Sequence, residues 1–249
     1  MSKKTDNASE PGREQKSPMR RQLRPVTIAA EEKAARVDLA ARLMGLRPSE
    51  LLPKVEFLAS QGLLIEKPEA EFVLPEKVVR ELEEEGKIDR NRRWFWPTKA
   101  GFRAAYPAFE GEYEPAVGQL RHMAASAATR YEKFRENPDG VWVPERYLRK
   151  DAEFNKYRDE NGDERHLADA LWVFPDKKVA IEVETAWKDR KKVEYAIEEL
   201  SDLFDEVHYH CVPATRPRLD DLKVKCGFEK LHVFDLDERR YGIPKGKRR

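Results

Sequence analysis

The run HLADALWVFPDKKVAIEVETAWK, from His166 to Lys188, constrains the fold of this chain more than any other stretch. Two otherwise apolar segments read as strands, and the PDKK between them is hairpin-sized. DRKKVEYAIEELSDLF follows as an amphipathic helix with Val193, Ala196, Ile197, Leu200, Leu203 and Phe204 on its apolar side, and EVHYHCVP is a further strand. A hairpin feeding a strand, a crossover helix and a parallel strand implies an α/β domain (α+β for the whole chain) with a right-handed crossover. A last helix from Pro217 to Cys226 and a strand at KLHVFDL complete the mixed sheet.

Three acids interrupt the apolar pattern: Asp169 in the first strand, Glu182 and Glu184 in the second. Side chains alternate along a strand, so Glu182 and Glu184 share a face with Ala180, opposite Val179, Ile181 and Val183. Closing the hairpin on Asp176 and Lys177 sets Asp169 across from Glu184, and a register shifted by two sets it across from Glu182. Directly opposed residues have Cβ atoms roughly 4.5 to 5.5 Å apart, so the carboxylates repel unless something positive lies among them. A Mg2+ or Mn2+ ion suits such oxygens, and the arrangement fits a metal-dependent phosphodiesterase. The same spacing also fits a solvated outer strand face that carries acids incidentally.

Upstream, the apolar positions Ala34, Val37, Ala41 and Met44 predict a helix from Glu31 to Met44, with Gly45 as its stop. Ser49 is placed to cap a second helix bearing Leu52, Val55 and Leu58, which Gly62 ends before the strand-like Leu63 to Ile65. An acidic insertion, Glu76 to Lys87, precedes RRWFWPTKAGFRAAY, an aromatic strand with a helix starting after Thr98. Helix, tight turn, helix and hairpin read as a winged helix, in which the second helix faces a DNA major groove. That helix offers Lys54 beside Glu50 and Glu56, so Arg90, Arg92 and Arg93 before the aromatic strand are the better DNA contacts. Trp94, Phe95 and Trp96 read as core rather than as a base-stacking platform. GEYEP is a linker, and AVGQLRHMAASAATRYEKF a bridging helix with Leu120, Met123, Ala127, Tyr131 and Phe134 near one face. His122 beside that stripe reads as a structural histidine.

The expected organisation is a disordered basic tail at 1–24, a winged-helix domain at 25–109, a linker helix at 110–136, a mixed-sheet domain at 137–238 and a second basic tail at 239–249. Residues 1–24 hold seven Lys or Arg against three acids and residues 239–249 six against none, which leaves the middle of a +1 chain at −9. Such tails can supply phosphate attraction that salt weakens, or act only as solubilising ends. With 38% charged residues and no apolar run near the ~20 residues of a membrane span, the chain reads as non-membrane. A charged N-terminus and only two cysteines, Cys211 and Cys226, add a cytoplasmic expectation. In HYHC, His208 and His210 share one strand face and Cys211 the other, so one strand cannot aim all three at a zinc ion. Glycine-rich phosphate loops and GxSxG are absent, which leaves kinase, NTPase and hydrolase readings without support.

The hairpin with its β-α-β unit resembles the PD-(D/E)XK, or restriction-endonuclease-like, superfamily. That resemblance implies metal ligation by Asp169 and Glu182, with Glu145 of WVPERYLRK as the additional acid of the preceding helix. The succession RRWFWPTKAGFRAAY, LRHMAASAATRYE, WVPERYLRK, HLADALWVF and VAIEVETAWK, over roughly residues 25–236, further resembles the replication-relaxation family. It implies an N-terminal winged helix followed by a nuclease-like domain, in a plasmid or phage protein acting in DNA replication, relaxation or transfer. Two positions depart from the superfamily pattern: Glu184 stands where a lysine is usual, and Ala168 replaces the proline before the first acid. Lys188, or Lys191 or Lys192, can supply the ammonium instead. His166, three residues before Asp169, is a candidate substrate contact. The expected activity is thus a Mg2+- or Mn2+-dependent DNA endonuclease with Asp169, Glu182, Glu184 and Lys188 catalytic, and the alternative a catalytically inactive DNA-binding factor of the same fold. DNA is the expected partner, with a homodimer or the element's replication and transfer proteins beside it.

Overall fold

The computed structural model describes residues 24–72, 76–84, 89–106, 114–149 and 166–243. The basic ends at 1–23 and 244–249 lie outside them. In chain order the elements are α1 (Arg24–Glu31), β1 (Ala35–Arg36), α2 (Val37–Met44), α3 (Pro48–Ser60), β2 (Leu64–Pro68), α4 (Glu76–Glu84), β3 (Arg93–Pro97), α5 (Lys99–Ala105) and α6 (Val117–Glu136). The second half adds β4 (Val141–Pro144), the one-turn α7 (Glu145–Leu148), β5 (Ala170–Val173), β6 (Lys178–Glu184), α8 (Arg190–Leu203), β7 (Glu206–Cys211), α9 (Arg216–Cys226) and β8 (Leu231–Asp235). The result is an α/β molecule with two sheets: an antiparallel one ordered β1-β3-β2 and a mixed one ordered β4-β5-β6-β7-β8. Among the described residues no helix is long and apolar enough to cross a membrane.

The expected helix from Glu31 to Met44 is two helices with a break. Lys33 adopts φ 70°, a left-handed conformation that costs a non-glycine residue about 1 kcal/mol or more. The break frees Ala35 and Arg36 to pair with Phe95 and Trp94 of β3, so strand pairing overrides the helical spacing. Ser49 does not cap α3. Arg47 is the cap, its backbone N–H donating to Glu50 Oε2 at 2.7 Å, with Pro48 in the first helical position. α5 starts after Thr98 as expected, and Thr98 caps it, accepting from the Gly101 N–H at 3.0 Å; Gly62 follows α3 at φ 69°.

Alternation along β3 joins the two halves. Phe95 enters the core of the first half with Val26, Leu51 and Val55, whereas Trp94 and Trp96 point the other way, onto α6. All three aromatic side chains are buried, which is the core reading of that cluster. The far side of α6 packs on Val179, Ile181 and Val183 of β6. Two packed sides explain why α6 is rich in alanine: Ala124, Ala125, Ala127 and Ala128 are all buried and let both sheets approach closely. The opposite face of the mixed sheet, with Leu171, Ala180, Val207 and Tyr209, lies under α8 and α9 through Val193, Ile197, Leu200, Leu219 and Leu222. Covered on both faces, this sheet has no solvated outer strand face at β6, which corrects that alternative for the glutamates.

β4 and β5 pair antiparallel, as do β5 and β6, while β6, β7 and β8 run parallel. The hairpin turns on Pro175 and Asp176, with the Phe174 N–H donating to the Lys177 carbonyl at 2.8 Å. Its last pair is Ala170 with Ile181, so Asp169 stands across from Glu182, the shifted of the two registers. Gly140 is required just before β4, because a Cβ there would lie 2.4 Å from the Trp172 ring. The basic stretch from residue 239 begins packed rather than free: Tyr241 and Ile243 are buried. Arg36, 1% exposed, donates to the carbonyls of Tyr241 and of Gly242, the latter at 2.8 Å.

Candidate active site

The site is built where β5 begins and β6 ends. Ala170 and Leu171 fix the start of β5 in the two cores, and Asp169 immediately precedes them, across from Glu182 of β6. Asp169 Oδ2 accepts from the Val183 N–H at 2.8 Å, and the Asp169 N–H donates to Glu182 Oε1 at 3.3 Å. The two carboxylates are therefore locked to each other's strands by backbone bonds. Glu182 and Glu184 are 3% and 4% exposed, far below what an unpaired surface acid shows.

Two histidines complete the pair. His122, on α6, places Nε2 at 3.2 Å from Asp169 Oδ1, and His166 places Nε2 at 3.0 Å from Glu182 Oε1. The His166 backbone N–H in turn donates to Glu199 Oε2 on α8 at 3.2 Å, which fixes the segment ahead of β5. Lys188 bonds Glu184, Nζ to Oε2, at 3.1 Å. It lies in the loop before α8, not at the helix start, because Asp189 is the helix cap and accepts from Lys191 N and Lys192 N. Across the parallel ladder Glu182 pairs with Tyr209, whose buried phenol lines the same face.

Electrostatics divide the two acids. Burial alone would raise the Asp169 pKa, but the His122 hydrogen bond and charge, the Val183 N–H and Lys188 outweigh it, and the net is lowered. Glu182 is raised, by burial first and by the Asp169 charge second, against the opposing pull of His166 and Lys188. Glu184 is raised by burial despite Lys188. Burial opposes protonation of His122, His166 and Lys188, yet the neighbouring acids prevail and all three are raised. Tyr209 is pushed well up by burial and by the acids, so its hydroxyl stays protonated. The arrangement thus holds one ionised carboxylate and one carboxyl reluctant to ionise, each facing an imidazole that can carry a proton. It can bind a cation between the acids or move protons along the His–acid pairs.

Of the residues expected at the site, Asp169, Glu182, Glu184, Lys188 and His166 come together. Glu145 does not join them. Its backbone N–H donates to the Asp169 carbonyl at 3.0 Å, but its carboxylate turns to Lys33 Nζ at 2.8 Å and to Arg149, just past the end of α7. The expected metal set of Glu145, Asp169 and Glu182 is therefore reduced to the last two. His122 enters the site although its place beside an apolar stripe gives no chemical signal; only the packing of α6 on β6 reveals it.

The expected DNA contacts are mostly paired with acids. Arg90 pairs with Glu83, Arg92 with Glu69 at 3.5 Å and Asp89 at 3.6 Å, and Arg93 with Glu66. Lys54 is exposed on α3, between the exposed acids Glu50 and Glu56. No family model, no curated protein and no solved structure matches this chain, so the functional reading rests on its own geometry.

Proposed function

We propose that the chain is a DNA-binding protein of a mobile element whose second half is a metal-dependent DNA phosphodiesterase acting in replication, relaxation or transfer. The observation that carries this reading is the juxtaposition of Asp169 and Glu182 at the end of a buried hairpin, with Lys188 in their field. In support of the finer fold, α2, α3 and the β2–β3 hairpin follow the order of a winged helix, and β5-β6-α8-β7 follows that of a restriction-endonuclease-like core. The basic ends of the sequence supply phosphate attraction.

The donors fit a hard divalent cation. Mg2+ takes one or two carboxylates and keeps several waters, and Asp169 and Glu182 offer that set. Glu182 is raised by burial first and by the Asp169 charge second, and a divalent cation held by the two carboxylates would offset the second. When bound, Mg2+ or Mn2+ supplies an activated water and charge stabilisation at the leaving oxygen. Asp169 and Glu182 would hold it, while His122 and His166 orient the two carboxylates and can retain or release a proton. Lys188 presents its ammonium from the loop, the role that Glu184 at the usual lysine position cannot fill; Glu184 instead holds Lys188 in place.

That same glutamate favours a second reading, a catalytically inactive DNA-binding factor. Nicking of supercoiled plasmid with Mg2+ or Mn2+ separates the two: the intact protein should cut, and Asp169→Ala and Glu182→Ala should each abolish cutting without loss of DNA binding. Failure to cut plasmid, single-stranded or branched DNA, together with no metal-dependent rise in melting temperature, would leave only the inactive reading.

A further inference from the structure

β7 and β8 lie side by side in parallel, with His208 paired directly to His232. Glu206 stands two residues before His208 and so on the same face. A single strand could not gather a ligand set from HYHC, but the neighbouring strand supplies the missing donor. The side-chain donor atoms of Glu206, His208 and His232 lie within 4.8 Å of one another, the one such set of three His, Cys, Asp or Glu donors among the described residues. We infer that Glu206, His208 and His232 form a binding site for a first-row divalent transition ion of the Zn2+ class, separate from the Asp169–Glu182 site.

The chemistry of the donors selects the ion. Two imidazoles and one carboxylate suit zinc, cobalt or nickel, whereas Mg2+ prefers an all-oxygen shell. Three protein ligands leave a position for water. Bonds of about 2.0 to 2.1 Å place tetrahedral donors about 3.3 to 3.5 Å apart. His208 Nε2 and Glu206 Oε2 are 2.8 Å apart as a hydrogen bond, which the ion would replace by parting the two donors by roughly half an ångström, and all three side chains are half-buried.

Two buried nitrogens on the same sheet face lack partners among the described residues. His208 Nδ1 is buried and has no hydrogen-bond partner among the described residues, and the same is true of Nε2 of His210, which is 5% exposed and stacks on Phe234. Buried nitrogens left unpaired are unfavourable, so this face is under-satisfied as it stands. The charged groups facing the site are Lys133 from α6, its ammonium 4.3 Å from the Phe234 ring centroid, and Lys177, which holds Glu206 Oε1 at 2.6 Å while Oε2 faces His208 Nε2. Lys133 opposes a cation, and the Glu206 charge offsets it.

The site lies on the sheet face toward α6, opposite the face of Glu182 and Tyr209, and would clasp the edge strand β8 to its neighbour. The test titrates the chelator-treated full chain with Zn2+, and with Co2+ for its visible absorption, in a large excess of Mg2+. One ion should bind per chain and raise the melting temperature. His232→Ala and Glu206→Gln should each weaken binding at least about tenfold, since even partners of ligands account for 10- to 100-fold. His232 sits on the edge strand, so its variant reports even if His208→Ala fails to fold. The double variant Asp169→Ala, Glu182→Ala should bind Zn2+ as the parent does, even if the phosphodiesterase reading fails. No saturable binding, undiminished binding in His232→Ala, or abolished binding in the double acid variant would each overturn the site.

Discussion

His122 Nε2 lies 3.2 Å from Asp169 Oδ1, so the helix between the two halves touches the first acid of the hairpin through a contact that depends on a proton. Burial opposes the charged imidazole, but Asp169 and Glu182 outweigh both burial and the Lys188 charge, and the folded pKa is raised. A raised histidine pKa gives stability that is complete below the unfolded value of about 6.5 and fades as pH climbs through the folded value. His122→Gln should therefore destabilise the protein at about pH 5.5 and leave it almost unchanged at about pH 9. The imidazole is 41% exposed, so solvent screening holds the loss to about 1 kcal/mol or less. Urea midpoints of both proteins at the two pH values check this.

The two acids should respond to substitution with opposite signs. Asp169 has a lowered pKa and contributes stability above its unfolded value of about 3.8, which disappears as pH falls through the folded one. Asp169→Ala also strands the Val183 N–H and should cost about 1 to 3 kcal/mol at neutral pH. Glu182 is raised, so its ionisation works against folding above about pH 4.5. Glu182→Gln should melt higher than the parent at pH 7 without divalent ions, by on the order of 2 to 4 °C per kcal/mol gained, and lose that advantage in acid. Melting curves with and without Mg2+ distinguish the two variants.

Arg130 of α6 reaches Glu31 Oε2 at 2.8 Å and Glu32 Oε1 at 2.7 Å, with Glu32 7% exposed. Arg130→Ala leaves a buried carboxylate without its cation and should cost about 3 to 5 kcal/mol. Arg130→Ala with Glu32→Gln should recover part of that loss, because the stranded charge is then gone. Chemical denaturation of the three proteins measures the coupling.

The salt dependence of DNA binding tests the ends of the chain. Because Tyr241 and Ile243 are core residues, the deletion must spare them and remove only 1–23 and 244–249. If these segments neutralise phosphates, the slope of log K against log salt should fall by about 0.9 for each phosphate that the shortened chain leaves unneutralised. An unchanged slope would assign them a solubilising role.

The hairpin, the shared face of Glu182 and Glu184 and the β-α-β succession are readable in the sequence because period-two and helical spacing survive in a linear string. Relationships between elements do not. Lys33 breaks a stretch with good helical spacing because Ala35 and Arg36 gain strand partners some 60 residues away in Phe95 and Trp94. The burial of Glu182 depends on α8 and α9 covering a strand face whose spacing also suits solvent. Glu145 has the right position relative to β5 but a different partner, since the break at Lys33 is what brings that lysine beside it. His122 and His232 carry no signal of their own. Each acquires chemistry from a residue on another element, Asp169 and His208 respectively.

Arg36 binds the chain to its own far end: Asp38 holds its guanidinium at 2.6 Å while the carbonyls of Tyr241 and Gly242 accept its remaining protons. A truncation at residue 238, where composition suggests an expendable tail, would withdraw two acceptors from a side chain that has no access to water and open the core where Tyr241 and Ile243 sit. For the same reason a fragment ending near residue 109 would carry this arginine with half its shell missing and Trp94 and Trp96 uncovered. The two halves share a core, and either half expressed alone is expected to expose it.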